Sequence, residues 1–335
     1  MNSNLLIAVV LYECQPHKSK TIQTLRSALK EAGAQVRVVV INNSRQVVIV
    51  PSWDFEVYQS DSNRGLAEPY DLAATLCLRD GIDYLVTFDQ DTAVTLSYIR
   101  AMIGKSASPS DKVGAYVPLV RNESNHLSPG YYNIEKGLYR SNKPVLGNDD
   151  LNKLKSHELP YAFNSGTMWN VKALKDCGGF PQRYPLDMLD HAMFRRLYLK
   201  GWKVEVVDEQ NSLMHGLSIE SKEGMSLGRA QNYLDAVHQY YVEESMLAEY
   251  FHNVSPESNL KNLGSNYMGV LLRKGLKRFV MGILGRQLGN PTTQMYFDQL
   301  QKLRNPDEMH SFVPFESEIL DKVEDYTSIR KIKVF

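Results

Sequence analysis

The sequence predicts an α/β fold: a mixed, mostly parallel sheet flanked by helices, followed by a helical extension at the carboxyl end. Three observations predict it. Short apolar runs alternate with amphipathic stretches through the first half of the chain, and parallel strands need such crossover connections. Glycines close several of the amphipathic stretches, where helices end. Beyond residue 228 only helical periodicity remains.

The elements follow in order. Residues 5–11 (LLIAVVL) read as a strand, and Ile22, Leu25, Leu29 and Ala32 recur at helical spacing before Gly33. Residues 36–41 give a second strand, and 47–50 and 55–58 give two short ones. Leu72, Ala73, Leu76 and Cys77 mark a helix face ending before Gly81, and 82–88 is a buried strand. Residues 121–160, rich in Asn, Ser, Gly and Lys, read as an extended excursion carrying loops of the kind that shape binding sites. A strand over 167–171, a short helix to Cys177, a break at Gly178-Gly179, a helix over 186–200 and a strand over 203–207 complete the α/β part, 1–220. In the helical part, 221–335, Ala230, Tyr233, Leu234, Val237, Tyr240 and Tyr241 form one stripe, and 267–288 a more basic one.

Composition narrows the function. Lys plus Arg and Asp plus Glu number 38 each, so no overall field draws the chain to nucleic acid or to an anionic surface. The 3 cysteines are far apart and form no metal or disulfide spacing, which fits a reducing cytoplasm. No basic segment precedes the first apolar run, so the chain reads as starting near residue 1, and no run approaches the roughly 20 apolar residues of a membrane span.

Asp89-Gln90-Asp91 follows the apolar run 82–88, at the strand end where open α/β sheets bind ligands. With the backbone extended, Asp89 and Asp91 point to one side and can share a hard cation, Mn²⁺ or Mg²⁺. The plain alternative is a solvated turn. Asp187 and Asp190 share a face of the helix over 186–200, where the helix dipole keeps a carboxylate ionised and able to take a proton; Asp187 reads equally well as a helix cap. His215 is either a third metal ligand or structural, and His191 either touches substrate or lies on the surface. Tyr12 either stacks on a nucleobase or packs in the core, and Asn63-Arg64-Gly65 is a turn that brings Arg64 near phosphate.

Taken together, the segments 5–12 with VVVINNS at 38–44, SNRGLA at 62–67, YLVTFDQDT at 84–92, NSGT at 164–167 and CGGFPQRYPLDMLDHAMFRRLYLKG at 177–201 resemble glycosyltransferase family 2, and within it the bacterial rhamnosyltransferase-like branch. The resemblance covers about residues 1–217. It implies a GT-A fold, Rossmann-like and nucleotide-binding, with a nucleotide-sugar part over about 1–120 and an acceptor part over about 121–220. It also implies an inverting hexosyl transfer from a nucleotide diphosphate sugar, dTDP-rhamnose or a UDP-sugar, to a glycan or lipid-linked acceptor in surface polysaccharide synthesis. By motif position Asp91 binds the metal, Asp89 assists it or holds the donor, and Asp190 is the general base with Asp187 able to share the role. Tyr12, Asn42, Asn43, Asn63, Arg64, Gly65 and Gln90 fall on the donor side, Gly166 and His191 on the acceptor side. Asn42 replaces a common acid, Asp71 a common Asn, and Ala192 a common second acid.

Two other classes compete. A sugar nucleotidyltransferase needs a Gly-rich basic loop after the first strand, which Tyr12-Glu13-Cys14-Gln15-Pro16-His17 does not offer. A carbohydrate-binding subunit without catalysis has no need of Asp89, Asp91 and Asp190. Finally, Arg273, Lys274, Lys277 and Arg278 gather on one side of an apolar helical stretch, the pattern of a helix lying on the cytoplasmic face of an anionic membrane or of one packed on the protein with its basic face solvated.

Overall fold

The computed structural model describes residues 4–46, 55–122, 125–133, 143–155, 158–215, 236, 240 and 329–332. They belong to one compact unit, 1–242 with 317–335; a second unit, 243–316, lies outside the described residues.

Strand β1 (Leu5–Leu11) forms the middle of the sheet because all seven of its side chains are apolar and buried. Burying each large aliphatic side chain there stabilises the fold by about 1.5–3 kcal/mol. Helix α1 (Lys20–Ala32) starts where the Ser19 side chain accepts the Ile22 N–H and ends at Gly33, whose φ of 61° is left-handed. Strands β2 (Arg37–Asn42) and β3 (Glu56–Ser60) follow, then α2 (Ala67–Asp80) and β4 (Tyr84–Phe88). The short β5 (Thr92–Ala93) leads into α3 (Leu96–Ala107), β6 (Val113–Val117) and β7 (Leu119–Arg121).

The excursion read as loops is built of short strands: β8 (His126–Ser128), β9 (Gly130–Asn133), β10 (Lys143–Pro144) and β11 (Glu158–Tyr161), with the small helix α4 (Asn148–Asn152). Then come β12 (Thr167–Asn170), α5 (Val171–Asp176), α6 (Leu189–Leu199), β13 (Lys203–Val206), β14 (Ser212–His215) and β15 (Ile329–Ile332).

Among the described residues the main sheet runs β13-β6-β12-β4-β1-β2-β3-β15. Neighbours β13/β6, β4/β1, β1/β2 and β2/β3 are parallel; β12 is antiparallel to both β4 and β6, and β15 to β3. The fold is therefore α/β with a mixed, mostly parallel sheet, as the sequence predicts. Because β12 runs against β4 with Thr167 opposite Thr87, the loop entering β12 lies at the carboxyl end of β4. A smaller sheet, β5-β14-β7-β8, begins where β4 ends and pairs His215 with Thr92. These two junctions assemble the site.

Two further sequence expectations change. The helix expected from 186 starts at Leu189, because Met188 sits at φ 63° and cannot continue a right-handed helix. Residues 329–332 form a strand within the part read as helical. The strand at 47–50 and the basic stretch 267–288 lie outside the described residues, as does the stripe 230–241 apart from Ala236 and Tyr240. Among the described residues no helix is long and apolar enough to cross a membrane.

Candidate active site

Asp89-Gln90-Asp91 leaves the end of β4 as a turn rather than as extended chain. The turn is held from below by the first residues of α1. Ser19 Oγ donates to the Gln90 carbonyl at 2.8 Å, Thr21 Oγ1 donates to the Asp89 carbonyl, and the same Thr21 oxygen accepts the Thr92 N–H at 2.9 Å. From the other side the Asp89 N–H donates to Ser165 Oγ at 2.9 Å. The backbone of this turn is thus fixed by hydroxyls from two separate segments, which leaves its carboxylates free for other contacts.

The carboxylates meet an imidazole there. Oxygens of Asp89 and Asp91 and a ring nitrogen of His215 lie within 4.8 Å of one another. His215 Nδ1 is 3.4 Å from Asp91 Oδ1 and 2.8 Å from Thr92 Oγ1, and Thr92 Oγ1 is 2.7 Å from Ser165 Oγ. Burial and the neighbouring Asp89 charge raise the Asp91 carboxyl above its ordinary value, while His215 opposes them. Two crowded carboxylates with one imidazole are a donor set that suits a divalent cation, and a cation would relieve their repulsion.

Asp190 lies in the first turn of α6, half-buried, its Oδ1 accepting the His191 N–H at 2.9 Å. Burial raises its carboxyl; His191 pulls it back, and Asp89 adds to the rise. A carboxylate moved toward neutrality is a stronger base at physiological pH. His191 stacks on Tyr161 with ring centroids 4.5 Å apart, and burial holds its imidazole toward the neutral form. Burial and the Asp190 charge push the Tyr161 phenol up to about 12. Asp187 lies before the helix, since the residue at the start of α6 is Met188, so Asp187 neither caps α6 nor shares a helical face with Asp190.

One of these acidic groups bonds to a buried phenol. Tyr70, fully buried on α2, donates its hydroxyl to Asp89 Oδ1 at 2.6 Å. Its ionisation is suppressed by burial and then by the charges of Asp89, Asp91 and Asp190. Of these carboxylates only Asp89 bonds to the phenol; Asp91 and Asp190 act on it through their charges.

No family model and no curated protein matches the chain. Solved structures of similar arrangement include TarS of S. aureus, 14% identical with a TM-score of 0.42, covering 78% of this chain and 42% of that one. Another is GalNAc-T7 with UDP, GalNAc and Mn²⁺, 12% identical with a TM-score of 0.49, covering 78% of this chain and 54% of that one. A third is the mannosyltransferase PcManGT from Pyrobaculum calidifontis with GDP-Man and Mn²⁺, 11% identical with a TM-score of 0.45, covering 97% and 86%. This chain thus spans less than half of that TarS chain. The chemistry rests on the residues themselves.

Those residues divide into two groups. Asp89, Asp91, His215 and Asp190 are brought together, and Tyr12, 43% exposed at the end of β1, is not a core residue. The others make contacts within the protein. Asn42 is fully buried, its Nδ2 donating to Gln59 Oε1 at 2.7 Å and to the Gln46 carbonyl at 2.6 Å while its Oδ1 accepts from Ser44. Asn43 accepts the Arg64 N–H and donates to Asn63 Oδ1 and the Gly65 carbonyl. Both amides are engaged by hydrogen bonds inside the protein. Arg64 pairs with Glu68 at 2.7 Å and Asp61 at 3.2 Å, and Gln90 Oε1 accepts the Tyr12 N–H at 2.8 Å. Gly166 is packed against Leu213 and Pro118, its N–H on the Thr87 carbonyl and its carbonyl accepting from Tyr98.

Sequence reasoning missed Tyr70, Thr21, Thr92 and Ser165. Ser165 stands inside the NSGT segment and Thr92 ends YLVTFDQDT, so both were within reach of it; Tyr70 and Thr21 look like ordinary helix residues.

Proposed function

We propose that the chain is a metal-dependent inverting glycosyltransferase that moves a sugar from a nucleotide diphosphate donor to a carbohydrate acceptor. The observation that carries this reading is the cluster of Asp89, Asp91 and His215 at the end of β4, with Asp190 near enough for the Asp89 charge to act on it. Binding a diphosphate and deprotonating an alcohol are separate tasks, and here separate segments supply the groups for each.

Asp190 takes the proton of the acceptor hydroxyl as that oxygen bonds to the anomeric carbon and the bond to the diphosphate breaks on the opposite face. A single displacement inverts configuration. Tyr70 keeps Asp89 in place and, as a neutral donor, adds no charge to the site. Tyr12, exposed beside the Asp89–Asp91 turn, offers a ring face to the nucleobase. Asp89, Asp91 and His215 would hold Mn²⁺ or Mg²⁺, which when bound neutralises charge on the departing diphosphate. The donor side then corresponds to about residues 1–120 and the acceptor side to about 121–220.

The donor we favour is dTDP-rhamnose, with UDP-galactofuranose or a UDP-hexopyranose as the competing sugars, and a lipid-linked or free glycan as acceptor. Purified protein with Mn²⁺, offered a panel of nucleotide sugars and acceptors, should release nucleoside diphosphate from one donor class. Release from none, or pyrophosphate formation from nucleoside triphosphate and sugar phosphate, would overturn the reading. Contact with a cytoplasmic membrane face through 271–288 is part of the same proposal. Sedimentation with anionic vesicles that is lost when Lys274, Lys277 and Arg278 become Gln tests it.

A further inference from the structure

Asp71 is a buried carboxylate that no step above uses. It sits on the second turn of α2 with no solvent exposure, and both of its oxygens point at the turn that follows α5. Oδ1 accepts the Phe180 N–H at 2.7 Å, and Oδ2 accepts from Gln182 Nε2 at 2.6 Å. Gly179 lies so close that a Cβ there would meet Asp71 Oδ1 at 2.7 Å. The opposite side of this turn is held by Arg196 of α6, whose guanidinium donates to the carbonyls of Cys177 at 3.2 Å and Gly179 at 3.0 Å.

A few residues on, the same segment touches α2 again. The Pro185 carbonyl accepts the N–H groups of Leu66 and of Ala67, the latter at 3.2 Å, and so caps a helix whose own first residue supplies no side-chain cap. Residues 179–185 are thus fastened at both ends to α2, the helix that carries Tyr70. Only Leu186, Asp187 and Met188 separate the second fastening from α6, and Asp190 is the second residue of that helix.

We propose that Asp71 is a positioning residue: by holding the turn 179–182 against α2 it sets the 185–190 segment, and with it the Asp190 carboxylate, relative to Asp89. The inference rests on the role given to Asp190, but its first measurement does not. Both partners of Asp71 are donors, so two acceptor oxygens satisfy them together; an amide satisfies one directly, and the other only if Gln182 turns its own amide over. Asp71→Asn is therefore the conservative variant and Asp71→Ala the disruptive one.

Hydrogen exchange of the full chain, read by mass spectrometry on peptides covering 178–192, tests the brace. Asp71→Ala should speed exchange there at least tenfold, while peptides of β1 and β2 keep their protection, and Asp71→Asn should restore most of the difference. In the transfer assay Asp71→Ala should lower kcat by at least tenfold and leave nucleotide affinity within about threefold, with Asp71→Asn between it and the wild type. Equal exchange in wild type and Asp71→Ala overturns the brace. Faster exchange with an unchanged kcat overturns the link to Asp190. If Asp71→Ala fails to fold, the comparison moves to Gln182→Leu, which removes the Oδ2 contact alone and should show a smaller change in the same peptides. A wild type that transfers no sugar defeats the functional proposal, and the exchange data still decide whether Asp71 holds the turn and the segment leading to Asp190.

Discussion

Gly65→Ala probes the contact that joins the two halves of the site. Gly65 has φ +70°, and a Cβ added there would stand 2.2 Å from the Pro185 carbonyl oxygen and 2.7 Å from the Pro185 Cβ. Real Cβ atoms essentially never approach within 3.0 Å, so the Pro185 backbone must retreat or the 63–67 segment must move. Left-handed backbone costs an alanine about 1–2 kcal/mol. The retreat also strains the two amide bonds to the Pro185 carbonyl, each worth about 0.5–1.5 kcal/mol, and overpacking adds about 1–3 kcal/mol. The sum, about 3–8 kcal/mol, is a large part of the roughly 5–15 kcal/mol that holds a domain folded. Gly33→Ala is the control: its φ is +61° with nothing within 4 Å, so only the backbone cost of about 1–2 kcal/mol applies. Urea unfolding of both variants measures the difference. Values within 1 kcal/mol of each other would refute the steric reasoning.

Asp190→Asn should lower transfer by about 10²–10⁴-fold, with nucleotide affinity by calorimetry within a few-fold; retention of more than a tenth of the rate would remove Asp190 as the base. Thr92→Val, which deletes the hydroxyl on His215 Nδ1, should weaken Mn²⁺ binding about 10–100-fold by calorimetry, and unchanged affinity would take His215 off the metal. Burial raises the Asp71 carboxyl to about 7, so its folded form binds a proton that the unfolded chain has lost above about 4. That contribution is present at low pH and disappears as pH rises through about 7, so from pH 5 to 8 Asp71→Asn should gain roughly 2–3 kcal/mol on the wild type in paired urea unfolding. Parallel stabilities over that range would contradict the shift.

The sequence made the middle of the sheet legible because β1, β2 and β4 are continuous apolar runs, each ending at a polar residue or a glycine. Strand β6, VGAYV, is as apolar but carries Gly114, where a Cβ would clash with Leu197 and Trp202, so a residue that reads as a breaker is here a packing residue. Asp89, Asp91 and Asp190 were legible as chemistry, but the geometry that unites them was not. It depends on a left-handed Met188, on a turn where extended chain was expected, and on the pairing of His215 with Thr92. Asn42 and Asn43 show the opposite limit. A polar residue at a strand end looks the same in sequence whether its amide faces a ligand or, as here, a neighbouring loop.

Strand β15 closes the β3 edge of the main sheet, although its partner residues lie far apart in the chain, Ile329 opposite Ser60. During synthesis at about 5–20 residues per second, β3 is made on the order of ten to fifty seconds before β15. Throughout that interval the edge presents unpaired amides and carbonyls, the surface through which strands of different molecules join. The nascent protein is therefore open to strand addition at the β3 edge until its last residues are made. Chains cut short before residue 329 would carry that open edge permanently.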